Sequence, residues 1–181
     1  VLYHGEADWT SDAMFIQKPI RRILEAQLDC DVLPADAFVD CGDFAHKMDI
    51  FKGCKATVLD DKKLYMNGES YGALIIPEAE ALPGNLLEWI IDADKKGLPV
   101  FFVNARPVYA STIGSTINAK TDLDGVGKVI SLDELVPELE NLGVRDVSVQ
   151  SEEKVLKVLR YYPYVREDAD FEVFFNSSPS Y

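Results

Sequence analysis

An α/β fold is predicted for this chain, with a mostly parallel sheet between helices as three layers, on three observations. Ala73-Leu-Ile-Ile-Pro77 is an unbroken apolar run, as expected of a strand buried on both faces. A helical pattern opens at Pro83-Gly84-Asn85, with Leu86, Leu87, Ile90, Ile91 and Ala93 as its buried stripe and Gly97 at the C′ position. A second apolar run, Pro99-Val-Phe-Phe-Val103, follows at once. Strand, helix and strand with such short connections read as a right-handed parallel crossover.

The remaining elements are weaker variations on this theme. Val1 to His4 reads as a strand, and Thr10-Ser11-Asp12 offers N-caps for a helix with Phe15, Ile16, Ile20, Ile23, Leu24 and Leu28 at helical spacing. Pro19 either kinks that helix or marks its true first turn. Asp31 to Pro34 is a second strand, and Ala37 to Met48 is read as a helix. Lys55 to Leu59 and Lys63 to Met66, joined through Asp60-Asp61, form a predicted β-hairpin. Ser131-x-x-Glu134 is a capping box for a helix over Leu132 to Leu142, closed by Gly143 before a strand at Val147 to Val149. Leu156 to Val165 and Phe171 to Phe175 read as a C-terminal β-hairpin rich in aromatics, suited to packing on the domain or on a β-rich module that follows.

The charge balance excludes some functions. With 18 Lys+Arg against 31 Asp+Glu the net charge is −13, which repels nucleic acid and anionic membrane surfaces alike. No run reaches the roughly 18 apolar residues of a membrane span, and no secretory leader is recognisable. Val1 in place of Met suggests a piece cut from a longer protein, so localisation stays unknown. Cys30, Cys41 and Cys54 form neither a disulfide framework nor a metal site and are expected to be buried thiols. No cofactor or metal is called for.

The segment Tyr71-Gly-Ala-Leu-Ile-Ile-Pro77, the helix after it, and Lys96-Gly97-Leu98-Pro99-Val100-Phe101-Phe102-Val103 resemble the core of class I glutamine amidotransferases. The likeness extends to Leu2 through Trp9 and Leu28 through Pro34, and is strongest to the degenerate form known as the β-galactosidase trimerisation domain. It implies a flavodoxin-like domain over residues 1–154, with 155–181 as the hairpin leading to a following module. It also implies a cysteine nucleophile on a sharp turn after the second apolar run. Here that turn reads Val103-Asn104-Ala105-Arg106, with Asn104 in the nucleophile's place. An amide cannot attack a carbonyl as a thiolate does. The histidine of the family's late His-Glu pair is missing too, because the only histidines are His4 and His46.

In doubly wound sheets ligands bind beyond the carboxyl ends of the strands, where strand order switches. The residues expected there are His4, Glu6, Asp8 and Trp9 after the first strand, Asp36 after the second, Glu78 and Glu80 after the third, and Asn104 and Arg106 after the fourth. As a binding site, the carboxylates would accept sugar hydroxyls, Asn104 and Arg106 would donate, and Trp9 would stack on a ring. As a sealed relic, Glu6 and Glu78 would pair with Arg106 and His4. Gly68-Glu69-Ser70-Tyr71-Gly72 matches a serine nucleophile motif, but a strand follows where a helix is required, and no histidine lies downstream. It is read as a polar loop. Asn176-Ser177-Ser178 is a formal glycosylation sequon.

These features lead to one expectation and two alternatives. Because domains of the family it resembles follow the catalytic barrel of large bacterial glycoside hydrolases, the resemblance implies a non-catalytic accessory domain of such an enzyme, serving packing, oligomerisation or lining of a cleft, with other domains or subunits of that parent as partners. One alternative is a module binding a small polar ligand or carbohydrate at the switch point. The other is a hydrolase acting through Glu6 and Glu78, or through Ser70.

Overall fold

The computed structural model describes residues 1–5, 7, 12–39, 55–111, 119–145, 159–165 and 170–176. In chain order the elements begin with β1 (Leu2–Tyr3), α1 (Gln17–Glu25), β2 (Leu33–Pro34), β3 (Thr57–Val58), β4 (Leu64–Met66), β5 (Glu69–Tyr71) and β6 (Leu74–Ile76). They continue with β7 (Ala81–Pro83), α2 (Gly84–Lys95), β8 (Val100–Val103), β9 (Tyr109–Ser111), β10 (Ala119–Lys120), β11 (Lys128–Ile130), α3 (Leu135–Asn141), β12 (Leu159–Val165) and β13 (Asp170–Asn176). The protein is mixed α/β with mostly parallel strands in its core. It divides into two compact units, one of Val1–Ile16 and Val32–Ser131, the other of Gln17–Asp31 and Leu132–Tyr181. The expected boundary near 154 falls outside the described residues.

In the first unit β6, β8 and β11 form an all-parallel sheet in the order β11-β8-β6, with Leu74 opposite Val100 and Ile130 opposite Val103. Every residue of β6 and β8 is buried, so side chains on both faces leave water, and this is why the two runs carry no polar position. On one face Leu74, Ile76, Val100 and Phe102 join Leu86, Leu87, Ile90 and Ala93 of α2 in the core cluster. β1 and β2 pair in parallel, Leu2 opposite Leu33, and β1 packs beside β6. Helix α2 stops as expected: Gly97 is left-handed at φ 89°, its N–H donates to Asp94 O, and Leu98 N donates to Ala93 O.

The predicted two-stranded hairpin is a three-stranded antiparallel sheet, β3-β4-β5. The third strand exists because Asn67 and Gly68, at φ 50° and 87°, make the two-residue turn that matches strand twist, placing Met66 opposite Glu69. Ser70 therefore lies in a strand opposite Tyr65, exposed, and is neither in a loop nor on a nucleophile turn. On this sheet the Tyr65 hydroxyl donates to Asp61, which lowers the Asp61 pKa and raises that of Tyr65. A second small sheet, β10-β9-β7, was not expected; β7 and β9 are parallel, with Ala81 opposite Tyr109.

In the second unit both helices begin later than predicted, for one reason. Pro19 is the third residue of α1 and Pro137 the third of α3. Proline lacks the N–H that a helix interior needs, but the first turn leaves that N–H without a partner anyway. Each proline thus fixes where its helix starts. Phe15 stands before α1 and is 67% exposed, so the early part of the expected stripe is not helical. Arg22 pairs with Asp133 at 2.7 Å, and Arg145 donates to Ala26 O. β12 and β13 pair antiparallel, from Leu159 opposite Asn176 to Val165 opposite Asp170.

Cys30 is half-buried, and burial pushes its thiol up to about 11, which keeps it protonated and unreactive near neutrality. Cys41 and Cys54, the strand expected at 147–149, most of the helix expected at 37–48, and Ser177-Ser178 lie outside the described residues. Of that expected helix residues 37–39 are described, and Ala37 is the last residue of a 3-10 turn, Ala35–Ala37.

Candidate functional site

Because β6 and β8 run in the same direction with Ile76 opposite Phe102, the residues just past their carboxyl ends come side by side. Asn104 Nδ2 donates to Glu78 Oε2 at 2.8 Å across this rim. The Asn104 backbone is left-handed, φ 67°, with its N–H donating to Ile130 O at 2.7 Å. Ala105 N donates back to Val103 O at 3.0 Å and closes a tight turn around it. Such a turn costs a side-chain-bearing residue energy, and asparagine is among the few that tolerate it.

β1 reaches the same rim beside β6, and a small cleft opens between them. Its walls are apolar, chiefly Leu2, Ile76, Ala79 and Leu82, and its polar lining comes from Tyr3, His4 and Glu78. His4 Nδ1 accepts from Ala7 N at 3.0 Å, so the neutral ring carries its proton on Nε2. The segment 12–16 crosses as a strap: Met14 N donates to Glu78 O at 2.7 Å, Glu80 N to Asp12 O at 3.0 Å, and Ala13 bridges Ala79. Met14 and Ile16 complete the lining. The cleft volume of about 30 Å³ holds roughly two waters and is about a tenth of a small-molecule pocket.

The other expected site residues fare differently. Arg106 does not pair with Glu78: its Nε donates to Val126 O at 2.9 Å, its Nη2 to Gly127 O at 3.0 Å, and it lies 5.8 Å from the Phe102 ring centre. The guanidinium fork is taken up by two carbonyls of the approaching loop. Glu80 lies before β7 with an exposed side chain, and its carbonyl accepts from Val108 and Tyr109. Asp36 sits in the turn after β2, outside the cleft lining. Glu6, Asp8 and Trp9 lie outside the described residues. Sequence reasoning missed Tyr3 as a lining residue, and it missed the strap, whose bonds are all from backbone.

It also missed Lys55, whose Nζ donates to Asp36 O at 2.6 Å and Val39 O at 3.3 Å and so holds the turn after β2. Lys55→Met keeps the stem and removes these charged bonds, and is expected to destabilise the protein by about 1–3 kcal/mol. Urea unfolding checks this, and an unchanged midpoint refutes it.

Fold and site together define an α/β protein with a small cleft where parallel strands end. No protein-family model, no curated protein and no solved structure matches the chain. Among the described residues no His, Cys, Asp and Glu side chains gather to hold a metal, and no helix is long and apolar enough to cross a membrane.

Proposed function

We propose that the chain is a flavodoxin-like, degenerate amidotransferase-like domain, without catalysis of its own, that serves a larger glycoside hydrolase by packing, oligomerisation or lining of a cleft. The observation that carries this reading is Asn104: a side chain with no nucleophile, on a left-handed turn at the end of a buried parallel strand, its amide tied to Glu78. In nucleophile elbows a strained turn at the end of a strand presents the reacting group. Packing of β1 beside β6 supports the strand order β2-β1-β6-β8-β11, which is the 2-1-3-4-5 order of flavodoxin-like sheets. The antiparallel pairing of β12 with β13 supports a C-terminal hairpin.

A second reading, binding of a small polar ligand, is favoured by the cleft itself, which lies where that strand order switches. Its size argues against a whole sugar ring. The hydrolase reading has less support, since Ser70 lies within a strand and Glu78 is engaged by Asn104. The isolated chain is expected to release no nitrophenol above the buffer blank from aryl glycosides or aryl esters. Turnover that Glu78→Gln or Ser70→Ala abolishes would overturn the accessory reading.

A further inference from the structure

We infer that the cleft between β1 and β6 is a seat for an unbranched primary ammonium group, the chemistry of a lysine side chain or an alkylamine. Glu78 lines the cleft, accepts one hydrogen bond from Asn104, and is paired with no cation among the described residues. A half-buried carboxylate beside apolar walls loses water contacts and gains most from a cation that brings its own donors. Arg106, expected at this rim, is turned away to Val126 O and Gly127 O, so among the described residues no Lys or Arg pairs with Glu78.

Size selects the cation. A cleft of about 30 Å³ that opens to solvent suits a slim terminal methylene and its nitrogen better than the broad, planar guanidinium. The apolar walls, chiefly Leu2, Ile76, Ala79 and Leu82, suit methylenes. The net charge of −13 raises the local concentration of any cationic partner. This inference rests on the accessory reading only in that a cleft without a reaction is left to bind.

The test is a titration of the full chain with n-butylammonium chloride at constant ionic strength, followed by amide chemical shifts. Saturable shifts are expected at Tyr3, His4, Glu78 and Ala79 in the low millimolar range, with n-butanol and n-butylguanidinium at least tenfold weaker. Glu78→Gln keeps an oxygen for the Asn104 amide and is expected to weaken the amine at least tenfold. Asn104→Gly frees the carboxylate on a backbone glycine adopts readily, and is expected to bind as tightly or better. Nα-acetyl-lysine methylamide binding more tightly than butylammonium assigns the source to a protein partner, and the reverse assigns it to a free amine. Absence of saturable shifts up to about 50 mM, equal shifts with butanol, or unchanged affinity in Glu78→Gln overturns the inference. Those results leave the accessory reading intact, while hydrolysis by the isolated chain would sink that reading and leave the amine seat standing.

Discussion

Phe102→Ala is expected to cost about 3–5 kcal/mol of stability, the range for deleting a fully buried aromatic side chain. Phe102 is 0% exposed and the largest of the fully buried side chains. It lies in the central strand of the parallel sheet, with Ile76 opposite on one side and Val129 on the other. Neighbours held on both sides by ladder hydrogen bonds cannot collapse into the space, so the cavity term stays nearly whole. The ring also lies under Arg106, and its loss removes a cation–π contact that helps hold the turn after Asn104. Urea unfolding is expected to show a lower midpoint with the slope kept. A loss under about 1 kcal/mol would mean that β8 is not the centre of this core.

The parts of the fold legible in the sequence are those where burial leaves a pattern long enough to read. Leu74–Ile76 and Val100–Val103 are apolar throughout because both faces are covered, and α2 shows its stripe and its terminal glycine. From that crossover alone, Glu78 and Asn104 fall at one rim, and there they meet. Strands β7, β9, β10 and β11 have two or three residues each, too few for any period to declare itself. Asn67-Gly68 is a readable turn signal, obscured because Gly68 also opens Gly68-Glu69-Ser70-Tyr71-Gly72, the match to a serine nucleophile motif. Arg106 was misplaced because its partners are backbone carbonyls of a loop 20 residues on, and carbonyls are the same for every sequence. The strap over the cleft is invisible for the same reason: its bonds join main chain to main chain.

Gly127→Ala is expected to destabilise by about 2–5 kcal/mol, from two separable causes. The residue is left-handed at φ 56°, which costs an L-residue roughly 1–2 kcal/mol. In addition, a Cβ there would stand 2.8 Å from Val100 O and 3.0 Å from Phe102 Cε2. Val100 is fixed opposite Leu74 in the sheet, so the loop has to move instead. That loop is anchored to the site from both sides: Gly127 N donates to Asp94 Oδ1, and Gly127 O accepts from the Arg106 guanidinium. Moving it frees Arg106, which its bonds to Val126 O and Gly127 O turn away from Glu78. Gly125→Ala is the control, since Gly125 is left-handed at φ 79° with nothing within 4 Å of its Cβ, and it should show the backbone cost alone. Gly127→Ala is therefore expected to exceed Gly125→Ala by about 1–3 kcal/mol in urea unfolding and to weaken butylammonium binding as Arg106 competes for Glu78. Equal costs at the two glycines would show that the loop does not have to move, and Arg106 would then keep its carbonyl partners and leave butylammonium binding unchanged.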